Sequence, residues 1–467
     1  MTSSPDRRAR GGRLRFASLR ENVAARLWPI PVMAVAVAVI LGFGLPVVDA
    51  AVADALPGWL AAVLFSGGPD AARAVLSAIA SSLMAATTLT FSLTVVALQL
   101  ASSQASPRVL RMFARDRIVH RTLAVFLGTF AYALTVLRTV RDETLDEPGV
   151  VPRMAITLAF LLTLASVVTL VLFLSHLARI LRIETVMRDV HRETTETLAL
   201  VRGAAGPVVD PDDADADPTD PPEAPEVPPH ARPVLATRSG FLTRSDRERL
   251  VRLGVEHDIV VAETRSIGSN VVEGTPIAFW WSRDPLRHPE PDDAARVDRE
   301  VSAAFGIGYE RTPTQDVGFG LRQLADISAR AVSPGVNDPT TAVHALGHIS
   351  GVLCELVRLP EQLRALDDDA GVVRVIPRRH EFASLLEVGV QQTRRYGGND
   401  PDVVIRLYGL LREVAYASER PGDRAALAEQ IDRLDATVAG QDFDPTERAA
   451  FADTSASARA ALTGEWR

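Results

Sequence analysis

The sequence predicts a membrane α-helical domain followed by a cytoplasmic α+β region. Three features predict it: four long apolar runs in the first half, a proline-rich acidic break after them, and a change of charge across that break. Residues 1–202 carry a net charge of +7 and residues 203–467 a net charge of −15, for a total of −8. The overall composition, with 47% hydrophobic residues, therefore describes neither half of the chain.

The apolar runs are each near or above the length of about 20 residues that a helix needs to cross a bilayer. They cover residues 27–48, 75–100, 122–140 and 154–176, and Arg138, near the end of the third, is the one charged side chain in them. We therefore expect a four-helix transmembrane domain over residues 27–202. The first run is too long for the apolar core of a signal peptide and three further runs follow it, so we interpret it as a retained helix.

Arginine predicts the orientation. Seven arginines lie in the tail of residues 1–26, five between the second and third runs and four after the fourth run, against four on the opposite side. The positive-inside rule places the arginine-rich side in the cytoplasm. Both termini are then cytoplasmic. The single cysteine, Cys354, fits a reducing compartment and excludes an intramolecular disulfide.

The second half divides into three predicted segments. Residues 203–233 hold nine prolines and eight acidic residues, which is typical of an extended acidic linker. Residues 234–284 predict a small, β-barrel-like α/β unit, in which Ser245 and Glu248 form a capping box that opens a helix. Residues 293–467 predict a mainly helical domain with one added strand near 372–376.

The second apolar run, residues 75–100, predicts a helix that we label α2. At 100° per residue, one line along it, which only Ala85 and Val95 interrupt, carries polar side chains. We call them the α2 stripe: Ser77, Ser81, Thr88, Ser92, Gln99 and Ser103, with Ser106 beyond. As one helix, residues 75–106 would be about 48 Å long, longer than the hydrocarbon layer. Hydroxyl and amide groups can line a water-filled path. They can equally let helices pack closely, and the sequence leaves both interpretations open.

Candidate chemistry in the second half is sparse. His344 and His348 have the four-residue spacing of a bidentate metal site, but no third ligand is evident and we predict no metal or cofactor. Nucleotide-binding glycine motifs and the GxSxG nucleophile motif do not occur, and we predict that the protein is not an enzyme. The acidic total argues against a nucleic-acid partner.

Two stretches resemble a known family. "TTLTFSLTVVALQLASSQASPRVLRMF" (residues 87–113) and "RTPTQDVGFGLRQLADISARAVSPGVNDPTTAVHAL" (residues 311–346) are similar to the predicted bacterial membrane proteins of domain-of-unknown-function family 2254, DUF2254. The resemblance extends from the first apolar run to about residue 420. It implies a multi-pass membrane protein with a cytoplasmic C-terminal domain, and it implies no particular activity.

The second stretch also predicts a local structure. Pro339 behind Asn337 and Asp338 is typical of a helix start, and Ser333, Pro334 and Gly335 are typical of the turn before it. Gln315 and Asp316 are placed to cap the preceding helix. This predicts a rigid corner between two helices. The same polar groups could instead bind a ligand, for which the two carboxylates favour a cation.

The sequence thus favours a homo-oligomeric channel-like or transport protein with a cytoplasmic regulatory domain. In that hypothesis the α2 stripe faces a central path, and several subunits are needed because four helices enclose little space. The alternative is a membrane-anchored sensor or scaffold whose cytoplasmic domain binds a partner or a small ligand. The partners expected are the lipid bilayer, further copies of the chain and a small ion or small ligand.

Overall fold

A computed structural model describes residues 29–52, 64–104, 116–141, 150–180, 182–204, 226–284, 289–359 and 365–466. The described chain is mostly helical with a small sheet region, and it divides into two compact units, residues 1–185 and 186–467. The basic tail and most of the predicted acidic linker lie outside the described residues.

In the part of the first unit that the structure describes, four long helices overlap the predicted spans: α1 (Pro29–Val52), α2 (Pro69–Gln104), α3 (Arg117–Leu137) and α4 (Arg153–Ile180). Each includes a segment long and apolar enough to cross a membrane. A fifth helix, Pro339–Val357, also meets that criterion of length and composition, but it belongs to the second unit. Several candidate membrane helices are thus present.

Helix α3 is the centre of the first unit, because it packs against α1, α2 and α4. The approach to α1 is close: a Cβ atom at Gly42 would lie 2.7 Å from Cβ of Thr135. At one end of the bundle, the Asp49 carboxylate accepts a hydrogen bond from the Met154 amide at 2.8 Å, and the Tyr132 hydroxyl donates to the Ala155 carbonyl at 3.0 Å. The end of α1 and the start of α4 therefore lie side by side, so these two helices run antiparallel.

The second unit begins with an amphipathic helix, α5 (Ile183–Ala204), which the sequence patterns did not separate from the fourth span. The elements that follow are β1 (Arg232–Leu235), β2 (Gly240–Ser245), α6 (Arg247–His257), β3 (Ile259–Glu263), β4 (Asn270–Val271), β5 (Pro276–Ser282), α7 (Pro291–Ser302) and β6 (Phe305–Gly308). Next come α8 (Val317–Ala331), α9 (Pro339–Val357), β7 (Leu366–Asp367), β8 (Val373–Ile376), α10 (Phe382–Gly397), α11 (Pro401–Ala417), α12 (Pro421–Ala439) and α13 (Pro445–Ala461).

The described strands form two sheets. The larger has the order β1-β5-β3-β8-β7, with β3 and β8 parallel and the other pairs antiparallel, and the smaller has the order β4-β2-β6. Strands β1 and β7 are the two edges of the larger sheet, and no pairing between these described strands closes it into a barrel. The larger sheet combines strands that are far apart in the chain, because β1, β3 and β5 precede α8 and α9 whereas β7 and β8 follow them.

Helices α8 to α13 form the helical part of the second unit, and α9 lies among α8, α10 and α11. Its buried face carries mainly small and aliphatic side chains, among them Ala345, Ile349 and Leu353. Further out, the Tyr408 hydroxyl and the Arg459 guanidinium both bind the Asp435 carboxylate at 2.6 Å, which ties α11, α12 and α13 together.

Candidate functional site

The α2 stripe lies on the outside of the first unit. Five of its members, Ser77, Ser81, Thr88, Ser92 and Gln99, are exposed. The side chain of Ser103 is not among those described, and Ser106 lies outside the described residues. The buried face of α2 is the opposite side of the helix and carries Ala72, Leu76, Ile79, Ala80, Leu83, Thr90 and Ala97. The stripe is therefore not used to pack α2 against α3 or α4 of its own subunit.

The hydroxyl protons of the stripe are bound locally where the contacts are described. Ser81 Oγ donates to the Ser77 carbonyl at 2.8 Å, and Thr88 Oγ1 donates to the Met84 carbonyl at 3.0 Å. Such bonds satisfy the donors and leave oxygen lone pairs free to accept from water. The Gln99 carboxamide adds two N–H donors and a carbonyl acceptor to the same face.

Apolar side chains border the stripe and cover the neighbouring helices. Exposed Met84 and Phe91 lie on one side of it, and exposed Leu89 and Val96 on the other. The exposed faces of α1 and α4 are apolar throughout their middle turns: Met33, Val37, Ile40, Leu41, Phe43, Leu161, Leu164, Val168, Val171 and Leu172. The stripe is thus a narrow polar line that is bordered by apolar side chains on both sides.

In the second unit, the sequence "QDVGFG" begins α8 and joins it to the smaller sheet. Asp316 caps the helix by accepting from the Phe319 amide at 3.0 Å, and it binds Arg311 Nε and Nη2 at 2.7 and 2.8 Å. Its side chain is fully buried against the turn at Gly268, where a Cβ atom would overlap the carboxylate. Both oxygens of Asp316 are therefore engaged within the protein.

Gln315 has a different role from the predicted cap. Its carbonyl accepts from the Ser245 amide at 3.0 Å and its amide faces the Ser245 carbonyl at 3.4 Å, so the side chain continues the ladder at the end of β2. The predicted capping box at Ser245 is wrong. Asp246 caps α6 instead by accepting from Arg249 at 3.1 Å, because Ser245 remains in β2 and donates to Glu263 at 2.5 Å.

Glu263 is a buried centre that the sequence did not indicate. It is the last residue of β3 and the one charged residue in that otherwise apolar strand. Its carboxylate binds the Arg247 guanidinium at 2.9 Å and accepts from the Arg378 amide at 2.9 Å. Beside it, His380 lies 2.7 Å from the Ile267 carbonyl and 3.2 Å from Ser266 Oγ. These contacts connect the ends of the parallel strands β3 and β8. An isolated acidic residue in a strand was the available signal.

The glycines of "QDVGFG" set helix contacts. A Cβ atom at Gly318 would lie 3.1 Å from Leu385 of α10, and one at Gly320 would overlap the hydroxyl of Thr194 on α5. Thr197, also on α5, donates to the Pro313 carbonyl at 2.9 Å. The segment before and within α8 therefore holds α5 at close range.

The predicted corner joins α8 to α9. Asp338 caps α9 by accepting from the Thr341 amide at 3.0 Å, and the hydrogen bonds from Thr341 lower the pKa of this carboxyl. Asn337 has φ +51°, and Ser333 donates to the Arg330 carbonyl at 2.6 Å. Pro334, Gly335 and Asn337 are exposed, and Pro339 is the first residue of α9.

The two histidines of α9 do not converge on a metal. His344 is exposed, whereas His348 is partly buried beside His191 of α5. Across the described ranges, no three His, Cys, Asp or Glu side chains are arranged to hold a metal ion.

Comparison with known proteins places the chain in a family. The family model described as "Predicted membrane protein (DUF2254)" matches residues 24–413. An uncharacterized protein of Mycobacterium bovis and one of Mycobacterium tuberculosis strain H37Rv are each 34% identical to the chain over 444 residues, which is 93% of this chain and 80% of theirs. No solved structure gives a significant match. The chain therefore belongs to the DUF2254 family of predicted membrane proteins.

Proposed function

We propose that the protein is a homo-oligomeric, channel-like or transport protein of the bacterial plasma membrane, with its second unit as a cytoplasmic regulatory domain. The observation that carries this proposal is the exposure of the α2 stripe. Its described side chains, Ser77, Ser81, Thr88, Ser92 and Gln99, are exposed on the side of α2 opposite its packing face, which leaves them available to line a path between copies of the chain.

Lipid is the poorer environment for this face. If the α2 stripe were buried, packing between helices of one subunit would explain it. If it held only serine and threonine, its hydroxyl donors could bind carbonyl groups of their own helix, and the stripe could face lipid. Gln99 carries a carboxamide that hydrocarbon does not solvate, and it lies on the same line as the hydroxyls. In a ring of subunits with α2 innermost, the α2 stripe would face water while the apolar faces of α1 and α4 meet lipid.

The membrane topology of the proposal has α1 to α4 as spans and both termini in the cytoplasm. The arginine distribution supports the orientation. The hydrogen bond from Met154 to Asp49 supports an even number of spans, since it brings the end of α1 to the start of α4 and makes the two helices antiparallel. We assign α9 to the cytoplasmic unit because it packs among α8, α10 and α11.

Reconstituted flux tests the proposal. Proteoliposomes loaded with KCl should release K⁺ or Cl⁻ faster than protein-free vesicles loaded with the same salt, as measured with ion-selective electrodes. Ser92→Leu and Gln99→Leu place apolar bulk on the α2 stripe, and each should lower the flux by about tenfold, as expected for a dewetted constriction. Ser82→Leu is the matched control, because Ser82 is an exposed serine of α2 that lies off the stripe, and it should keep the flux.

Oligomeric state is the second arm of this experiment. The proposal requires several subunits per particle in detergent and in lipid. A monomeric protein, or flux that is unchanged in both stripe variants, would overturn it. An oligomer without any flux would favour the alternative, a membrane-anchored sensor or scaffold.

A further inference from the structure

Helix α5 begins three residues after the end of α4 and is the first helix of the second unit. Within this unit, α5 packs closely against α8 and α9, at one glycine of each helix. Thr194 fills the space beside Gly320 of α8, and the His191 ring fills the space beside Gly351 of α9, where a Cβ atom would lie 2.9 Å from Cε1. Buried Met187, Val190 and Leu198 complete the apolar side of the helix.

The contact with α9 is made by two imidazole rings. The ring centroids of His191 and His348 lie 5.1 Å apart at an interplanar angle of 57°. His191 Nδ1 lies 3.2 Å from the His348 carbonyl oxygen. That oxygen can only accept a hydrogen bond, so His191 Nδ1 donates to it.

We propose that the contact between His191 and His348 is a proton-sensitive attachment, which holds α5 on α9 while the rings are neutral and releases it when both are protonated. Two imidazolium ions at this distance repel each other, and because the His191 ring lies directly against α9 at Gly351, that repulsion acts between α5 and α9. Histidine is the side chain whose charge changes near neutral pH.

The surroundings of His348 favour the neutral ring. Its pKa is lowered below the ordinary value of histidine, first by burial and then by the neighbouring His191 and His344. A folded contact with a lowered histidine pKa is fully stable above the ordinary value of about 6.5 and loses stability as the pH falls below it. Acidification of the cytoplasm is therefore the signal that this contact would detect.

Nearby carboxylates have partners of their own. On α5, Asp189 binds Arg192 at 3.1 Å. On α9, Glu355 accepts from Thr195 at 3.4 Å, and on α11, Glu413 binds Arg406 at 2.7 Å. On α8 and α10, the ionisable groups Arg322, Asp326, Arg330, Glu387 and Arg394 are likewise engaged. The charges that act on the His348 ring come from the other two histidines.

Hydrogen–deuterium exchange of the full chain in lipid nanodiscs tests the proposal. Exchange is measured at about pH 7.5 and about pH 5.5, on either side of the ordinary histidine pKa, with labelling times scaled to the intrinsic rates. In the wild type, peptides within residues 186–204 should lose protection by about tenfold at the lower pH, because α5 opens more often once the contact is released. His348→Gln should abolish the difference, and the exposed His230→Gln should retain it.

Two results would overturn the proposal: wild-type α5 that is equally protected at both pH values, or a pH response that persists in both His191→Gln and His348→Gln. If neither variant folds, ¹³C-histidine NMR of the wild type decides. A pair of histidine resonances that titrate together, one of them below the ordinary pKa, is expected. Independent titration of all histidines at the ordinary value would refute it.

Discussion

The polar line of α2 and the buried carboxylates of the second unit are used in different ways. In α2 the polar line is exposed and the packing face is built mainly from apolar residues such as Ala72, Ile79 and Ala80. In the second unit Glu263 and Asp316 are buried and bound to arginines. The difference shows where function can be sought: both buried carboxylates are bound by arginines within the fold, whereas the described side chains of the α2 stripe do not pack against α3 or α4.

The largest effect on stability is expected at Asp316. Asp316→Ala removes a helix cap and leaves Arg311 without its buried carboxylate, which should lower the free energy of unfolding by about 3–5 kcal/mol. Asp338→Ala is the matched control, because this partly exposed cap should cost about 1 kcal/mol. Thermal or denaturant unfolding of the detergent-solubilised protein measures both. Equal losses in the two variants would show that the buried pair at Asp316 is not a structural element.

A smaller effect is expected at the α5–α8 contact. Gly320→Ala places a methyl group where the Thr194 hydroxyl lies, and we expect a loss of about 2 kcal/mol from overpacking. Thr194→Ala in the same chain should restore part of that loss. Gly347→Ala tests the helix propensity alone, because a Cβ atom there meets no atom within 4 Å. Additive losses in the double variant would contradict a direct contact.

The smallest stability effect is expected on the α2 stripe. Ser92→Leu changes an exposed side chain, so the free energy of unfolding should change by less than about 0.5 kcal/mol even though flux falls. Unfolding is followed on the same preparation as the flux measurement. A loss of stability as large as that of Asp316→Ala would show that the stripe is a packing surface, and the contrast between the units would fail.

Local sequence patterns were sufficient to predict the four long helices described in the first unit and the start of α9. The apolar runs are bounded by charged or proline-rich residues, and Asp338 followed by Pro339 combines a capping side chain with a preset φ angle. These features depend on neighbours in the chain. Family membership could be recognised for the same reason, from continuous stretches.

The remaining features depend on residues far apart in sequence. Glu263 is explained by Arg247 and by the backbone at Arg378, and Gly320 by Thr194, which is more than a hundred residues away. Helix α5 was missed because its charged exposed face was interpreted as the basic flank of a span. Asp49 was left just outside the first predicted span, although it binds the start of α4.

The length of α2 has a consequence for how the protein meets a bilayer. Its 36 residues form a helix of about 54 Å, which at the upper tilt of about 40° still extends about 41 Å along the membrane normal. That exceeds the hydrocarbon thickness of about 30 Å, so in the proposed topology α2 would protrude into a headgroup layer at one end at least. From Ser77 to Gln99 the helix rises about 33 Å. The stripe is therefore about as long as the hydrocarbon layer is thick, and in the proposed topology it would supply polar groups across the whole depth of that layer.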